Sequence, residues 1–515
     1  MDGWLVPILL AILALLGIAA LQLSRTAVRR QLRHRARQLL FQFRARIDRY
    51  KLVERDRIRE ALMRDPVVLR AIGQHAELTG AGEAQVRVKV NQYIDEIVPF
   101  FNVLSYYQLG YNLSRLTINL LYRATVEYRD EAALDRIPRR DVVVYLMNHR
   151  SNADYVVVAY VLARVVSISY AVGEWARTWP LEFVFKSFGS YFIRRQFREA
   201  LYHTVLERYV QLITLNGVTQ GIFPEGGLTR DGAMRPVKIG LLDYIVRTIE
   251  EPAFDRDIWL VPVGINYDRV LEDRSLIRER IIGADPPSRL QQFTGVVSYL
   301  GWNLARLLTG QLKRYGRVSV AFGTPISVRG WLATQPPAIL SLPRAERLPH
   351  IQGLAEQALE RIGKVIPVTP VSLASAALLS FGTSVIPMTR VLERMDELRD
   401  QLSERDAKVV RSELPLVEVW DRAWRMLSMR RLALQQGSDL VILPRERPLL
   451  EYYANSIRHL LPEQTTVAWS PATEPDTTLP RLATRLEMDI MTRDHTVPLP
   501  QGPAGAADSP RQSPR

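Results

Sequence analysis

The sequence contains no cysteine in its 515 residues. That excludes a disulfide framework, a thiolate nucleophile and any cysteine-ligated zinc or iron–sulfur centre. A reducing compartment fits. Charge is missing from one stretch altogether: Trp4 to Leu23 carries no Asp, Glu, Lys or Arg. Elsewhere charge is plentiful and unbalanced. Lys and Arg number 68 against 54 Asp and Glu, a net +14. Such an excess points to an anionic partner, whether nucleic acid, an acidic membrane surface or a phosphorylated substrate. With 47% hydrophobic and 24% charged residues the chain is globular rather than disordered. Its length allows one large catalytic domain and smaller additions.

The placement of the charges separates these partners. At 1.5 Å per residue the uncharged run spans about 30 Å of hydrocarbon. Asp2 stands before it; Arg25, Arg29, Arg30, Arg33, Arg35 and Arg37 follow it, then Arg44, Arg46, Arg49 and Lys51. A cleaved signal peptide has its charges on the other side. Residues 1–24 therefore read as a retained, single-pass transmembrane anchor, with a buried core helix and a monotopic hairpin or interfacial helix as the alternatives. The positive flank puts the body on the cytoplasmic face of the cell (inner) membrane. Each arginine near anionic membrane phospholipid adds on the order of 1 kcal/mol. With so much of the excess beside the anchor, a nucleic-acid partner is not expected.

Residues 25–118 form a basic juxtamembrane region of helical pattern, with Thr79 to Gly82 as a break, a second helix from Glu83 past Ile97, and an aromatic stretch from Phe100 to Tyr122. The texture changes over 119–335. Short β-branched runs (Val142–Tyr145, Tyr191–Ile193, Thr219–Phe223, Ile258–Val263 and Val318–Phe322) alternate with helical stretches such as Tyr155–Val166, Phe197–Leu215, Ile239–Ile249 and Arg289–Arg314. That alternation predicts an α/β domain with a mostly parallel sheet flanked by helices. Gly217 falls where a helix C-cap belongs. Pro336, Pro337 and Pro343 mark a linker into a helical domain over 336–461, with helices at Leu354–Gly363, Val371–Leu379, Met388–Leu402, Val417–Leu434 and Leu449–Leu461. A polar, proline-rich tail over 462–515 reads as disordered.

Four blocks carry chemistry. Asn148 to Tyr155 follows a hydrophobic run and leads into a helix, so His149 stands at the carboxyl end of a strand, where open α/β sheets bind ligands. On one helix His149 and Asp154 would point about 140° apart. A strand–loop–helix junction lets the carboxylate fold back onto the ring, fix its tautomer and leave the other nitrogen to take a proton from an alcohol. A bare helix cap from Ser151 or Asn152 is the plain alternative. Gly189 to Arg195 ends in Arg194 and Arg195, a possible phosphate fork or an ordinary surface pair. Phe223 to Arg230 offers Glu225, Gly226 and Arg230 at another strand exit; it could equally be a glycine turn. Val261 to Arg269 ends a further strand in polar groups.

In this order and spacing the blocks resemble the glycerol-3-phosphate acyltransferase family, in its bacterial membrane and dihydroxyacetone-phosphate branch. His149 to Tyr155 matches His-Arg-Ser-x-x-Asp-Tyr. Gly189 to Arg195 matches Gly-x-x-x-Ile-Arg-Arg. Glu225, Gly226 and Arg230 match parts of Glu-Gly-x-Arg-Ser-Arg. Val261 to Arg269 matches Val-Pro-x-x-x-x-Tyr-Asp-Arg. Phe322 to Ile326, and Leu449 to Tyr453 with Asn455 and His459, add support, so the likeness runs from about Leu120 to Leu461. Leu228 and Thr229 depart from the third block, where the family has arginine and serine. The chain reads as a shorter, divergent member, with an anchor in place of the long N-terminal domain of the large bacterial enzymes and without much of their C-terminal region.

The resemblance implies a glycerolipid acyltransferase-like fold and acylation of the sn-1 hydroxyl of glycerol 3-phosphate, the first step of phospholipid biosynthesis. The donor would be acyl-CoA or acyl carrier protein, with no metal and no other cofactor. His149 would be the general base, oriented by Asp154. Arg194, Arg195, Arg230 and Lys238 would hold the acceptor's phosphate, and Glu225 with Gly226 its glycerol part. Dihydroxyacetone phosphate or a lysophospholipid as acceptor, or a non-catalytic membrane-anchored lipid-binding protein, are the competing readings.

Overall fold

The computed structural model describes residues 50, 53 and 55–463, except 101–111, 129, 163–167, 174–176, 178–180, 195–196 and 283–314. The proposed anchor, most of the basic segment, the expected helix over 289–314 and the tail from 464 lie outside the described residues. Among the described residues no helix is long and apolar enough to cross a membrane.

Eight strands form one sheet: β1 (Arg123–Tyr128), β2 (Val142–Met147), β3 (Ser169–Gly173), β4 (Tyr191–Ile193), β5 (Gln220–Ile222), β6 (Ile258–Tyr267), β7 (Arg317–Phe322) and β8 (Ile326–Ser327). Their order is β1-β7-β6-β2-β5-β3-β4, with β8 added beside β6. Strands β6, β2, β5, β3 and β4 are mutually parallel. Strand β7 runs against β6, and β1 runs with β7. The carboxyl ends of the five parallel strands therefore share one edge of the sheet with the amino ends of β1 and β7. The near-continuous apolar sequence of β2, Val-Val-Val-Tyr-Leu-Met, is what a strand covered on both faces requires.

Two apolar clusters flank the sheet. Val142, Val144 and Leu146 pack with the helix Ala200–Leu215 and with the N-terminal helices Pro66–Thr79 and Glu83–Ile97. Val261, Val263, Ile265, Tyr267, Val318, Val320 and Phe322 belong to the other cluster, which includes the helix Asp154–Leu162 and runs on into the C-terminal helices Pro370–Leu379, Met388–Glu404 and Leu416–Met429. The N-terminal and C-terminal helices thus share core with the sheet. Gly264 shows how closely they sit: a Cβ there would lie 2.5 Å from the carbonyl oxygen of Val365, at the end of the helix Arg344–Val365. Asp65 caps the helix after it by accepting from the amides of Val67 and Val68, with Pro66 leading. Gly217, directly after the C-cap Asn216, has φ 74°, the left-handed turn that ends the helix Ala200–Leu215.

The mostly parallel α/β sheet agrees with the sequence reading. The alternation does not reveal β1 or β3, whose Arg-Ala-Thr-Val-Glu-Tyr and Ser-Tyr-Ala-Val-Gly lack a run of β-branched residues. The C-terminal region also contains an antiparallel sheet, β9 (Val385–Pro387), β10 (Ala433–Gln436) and β11 (Asp439–Ile442), in the order β10-β11-β9. The helix expected to reach Leu434 stops at Met429, and Arg431 turns the chain at φ 56° into β10.

Candidate active site

Asn148 fastens the exit of β2. Its Nδ2 donates to the carbonyl of Ile265 at 2.9 Å and its Oδ1 accepts from the Ile265 amide at 2.7 Å. The chain then turns through Arg150 to Ala153 into the helix that Asp154 begins. His149 and Asp154 are both buried. The turn brings the Asp154 carboxylate back under the ring, 2.9 Å from His149 Nδ1. The same oxygen, Oδ2, accepts from the amides of Arg150 at 2.8 Å and Ser151 at 3.0 Å. Oδ1 accepts from the Tyr267 hydroxyl at 2.5 Å. Four donors hold one carboxylate, so its position is over-determined. With the Nδ1 proton directed at Asp154, Nε2 is the basic nitrogen. The Phe223 ring stacks on the imidazole at 4.0 Å and Tyr155 meets it edge-on at 5.6 Å.

Two more carboxylates support the loop from behind. Glu225 accepts from the amide of His149 at 3.0 Å and from that of Arg235 at 2.9 Å. Both its oxygens face backbone, so here it is a clamp on the His149 loop rather than a hand extended toward an acceptor. Burial pushes its pKa up to about 7 against those two amides. Glu272 accepts from the Ser151 hydroxyl at 2.7 Å and the Asn152 amide at 3.1 Å. Burial, partly offset by the Ser151 bond, pushes it too up to about 7. A carboxyl raised in the folded state binds its proton more tightly there than in the unfolded chain. Its stabilising contribution is complete below about 4.5 and is lost as pH rises through about 7. Glu272→Gln keeps a partner for Ser151 and cannot ionise. Melting temperatures measured across that pH window should fall less steeply in the variant than in the wild type.

The basic residues are distributed unevenly. Strands β2, β5 and β4 do end at one edge, but β5 and β3 stand between β2 and β4. Three strand spacings amount to about 14 Å. Arg194, after β4, donates from Nε to Glu96 Oε1 at 2.7 Å and from Nη2 to Glu96 Oε2 at 2.5 Å, a two-bond fork. Its guanidinium also lies over the rings of Tyr93, Phe197 and Tyr202. Arg177 meets the same Glu96 at 2.8 Å. Arg195 lies outside the described residues. Arg230 and Lys238 belong to the segment after β5, next to β2. Arg230 is half exposed and 3.2 Å from Glu279; Lys238 is exposed, and its amide donates to Pro224 at 2.7 Å. Gly226 is required where this loop passes Lys238. Its φ is 68°, and a Cβ would meet Lys238 Cγ at 2.8 Å.

Some residues of the site were not singled out from the sequence. Tyr267 lay within the fourth block without a role, and Glu272 beyond it. Arg150 is buried, donates from Nη1 to the Gly232 carbonyl at 3.0 Å and lies 5.1 Å from the centre of the Tyr452 ring. Tyr452 in turn donates to the Arg150 carbonyl at 3.2 Å. Asn455 donates to the Asp231 carbonyl at 3.0 Å, and Tyr453 to Asp273 at 2.5 Å. The helix Arg447–Asn455 thus ties the loops after β2, β5 and β6 together.

Known proteins share sequence with most of this chain. Residues 130–266 match the family model described as Acyltransferase, and residues 301–487 the one described as Glycerol-3-phosphate acyltransferase C-terminal region. A curated glycerol-3-phosphate acyltransferase of Pseudoalteromonas atlantica is 25% identical over 79% of this chain and 50% of its own. That of Actinobacillus succinogenes is 28% identical over 81% and 51%. The chain spans about half the length of these relatives. The solved 1-acyl-sn-glycerophosphate acyltransferase of Thermotoga maritima aligns over 49% of this chain and 78% of its own, at 17% identity and TM-score 0.29, a likeness too slight to bear on fold or chemistry.

Proposed function

We propose, from the premise that the chain belongs to the glycerol-3-phosphate acyltransferase family, that it transfers a fatty acyl group from a thioester to the sn-1 hydroxyl of glycerol 3-phosphate. The observation that carries this reading is the buried His149–Asp154 pair, whose carboxylate is held by two amides and the Tyr267 hydroxyl. Nε2 of His149 takes the proton of the acceptor's primary hydroxyl. The alkoxide oxygen attacks the thioester carbonyl, and the resulting oxyanion collapses by expelling the thiolate. The imidazolium, stabilised by Asp154, returns the proton to that sulfur. One ester forms, one thioester breaks, and no covalent enzyme intermediate intervenes. The donor is acyl-CoA or acyl carrier protein, and the anchor keeps the reaction on the cytoplasmic face of the membrane.

Arg230 and Lys238, nearest in the sheet order to His149, are the first arms of the phosphate pocket. Arg194 and Arg195 complete it, and Arg194 joins by exchanging the Glu96 carboxylate for the phosphate. Each charge-assisted bond is worth about 1.5–3 kcal/mol. Arg230→Ala should therefore raise the acceptor KM by about one to two orders of magnitude and leave the donor KM nearly unchanged. Glu96→Gln, which weakens the competing pair, should lower the acceptor KM. An unchanged constant in that variant would take Arg194 out of the pocket. Initial rates with each substrate varied in turn supply both answers.

The identity of the acceptor is tested by assaying the purified full chain with one acyl-CoA against glycerol 3-phosphate, dihydroxyacetone phosphate, a lysophospholipid and glycerol. Glycerol 3-phosphate should give the highest kcat/KM. Glycerol performing equally well would remove the phosphate pocket, and a preference for one of the other two would reassign the acceptor.

A further inference from the structure

Strands β1 and β7 each begin with an arginine at the sheet edge where β6 ends. Arg123 and Arg317 are partners in the parallel register, so their side chains leave the same face. Val318 is the partner of Tyr267. Alternation along the strand therefore sends Arg317 to the face away from Tyr267 and Asp154. Arg317 is only 5% exposed. Its amide donates to Asp268 Oδ2 at 2.8 Å. Its guanidinium is less well served: Nη1 and Nη2 are buried and have no hydrogen-bond partner among the described residues. A buried cation with unmet donors is costly unless something anionic meets it.

The surroundings add positive charge instead of relieving it. Arg411, Arg422 and Arg123 all press on Arg317 and, with burial as the larger cause, hold its pKa below the usual value. Asp268 is the carboxylate that opposes them, and burial pushes its own pKa up to about 6. Arg411 reaches Glu413 at 3.4 Å and Arg422 reaches Glu418 at 3.9 Å. The backbone of Arg411 is also unusual, with φ 65°, a left-handed conformation that long side chains seldom adopt. It is held beside the Asp268 region by the Val410 amide, which donates to the Val368 carbonyl at 3.0 Å.

We propose that Arg123, Arg317, Arg411 and Arg422 form a second anion site, on the face of the sheet away from His149, that binds a phosphate group. Guanidinium forks match phosphate oxygens in pairs, and the two open nitrogens of Arg317 provide such a fork. Free phosphate and the headgroup of a phosphomonoester lipid share this chemistry.

The test is thermal unfolding of the detergent-solubilised full chain, with and without inorganic phosphate, and in micelles with and without phosphatidic acid. Wild type is compared with Arg317→Gln and Arg411→Gly. Glycine accepts the left-handed conformation, so the second variant folds without the strain. Binding at the acceptor pocket is common to all three proteins and cancels. Both variants should need at least about tenfold more phosphate for the same rise in melting temperature. Loss of the response to inorganic phosphate assigns the site to phosphate in solution; loss of the response to phosphatidic acid alone assigns it to a lipid headgroup. Wild-type responses of both variants in both arms overturn the proposal.

Discussion

His149→Ala is expected to lower acyl transfer by a factor of about 10²–10⁴, the usual worth of a general base, while the chain stays folded. The fold should tolerate the change because the imidazole is not what shapes the loop. Asp154 keeps the amides of Arg150 and Ser151 and the hydroxyl of Tyr267. Glu225 still accepts from the backbone of residue 149, and the carbonyl of that residue still accepts from Thr229 at 3.1 Å. What disappears is the nitrogen that takes the hydroxyl proton. The loss should fall on kcat, with both KM values and the melting temperature close to wild type. Rates within a few-fold of wild type would assign the base elsewhere.

Asp154→Asn should cost activity on the same scale by a different route. An asparagine has one acceptor oxygen and one NH2 group in place of two acceptors. Turned with its oxygen toward His149 Nδ1 and the two amides, it presents the NH2 to the Tyr267 hydroxyl, which can accept instead of donate. The geometry therefore survives and the negative charge does not. An imidazolium formed during the reaction then has no carboxylate beside it. Tyr267→Phe, which removes one of the bonds holding Asp154, should cost less. Combined with Asp154→Asn it should cost less than the sum of the two, because both act through one carboxylate. Full additivity would separate Tyr267 from the pair. The measurements are kcat and melting temperature for the two single variants and the double.

The extent to which this site could be read from sequence follows from the range of the interactions. The strands with β-branched runs announced themselves, and so did a histidine and an aspartate placed where a strand becomes a helix. His149 and Asp154 are five residues apart, so local geometry sufficed. Tyr267 reaches Asp154 across 113 residues and Glu96 reaches Arg194 across 98. Neither partnership leaves a periodic trace. The pair Arg194 and Arg195 suggested a fork, but the fork's present occupant comes from a helix that the pattern had placed in a juxtamembrane region. Strands β1 and β3 escaped notice because a strand can be built from Arg, Ala, Thr, Glu, Ser and Gly when tertiary packing supplies what propensity does not, whether it pairs on both sides, as β3 does, or only with β7, as β1 does. Glu225 stood in the right block, yet its two amide partners could be known only once β2 and β5 were seen side by side.

The most direct measurement of the central claim follows both halves of the reaction at once. The purified full chain is given acyl-CoA with and without glycerol 3-phosphate, and thiol release is counted against glycerol 3-phosphate consumed, with His149→Ala in parallel. The account predicts one thiol released for each acceptor acylated, almost none without acceptor, and almost none in the variant. Thiol release that continues without the acceptor, or that proceeds without consuming it, would contradict direct transfer to a phosphorylated glycerol.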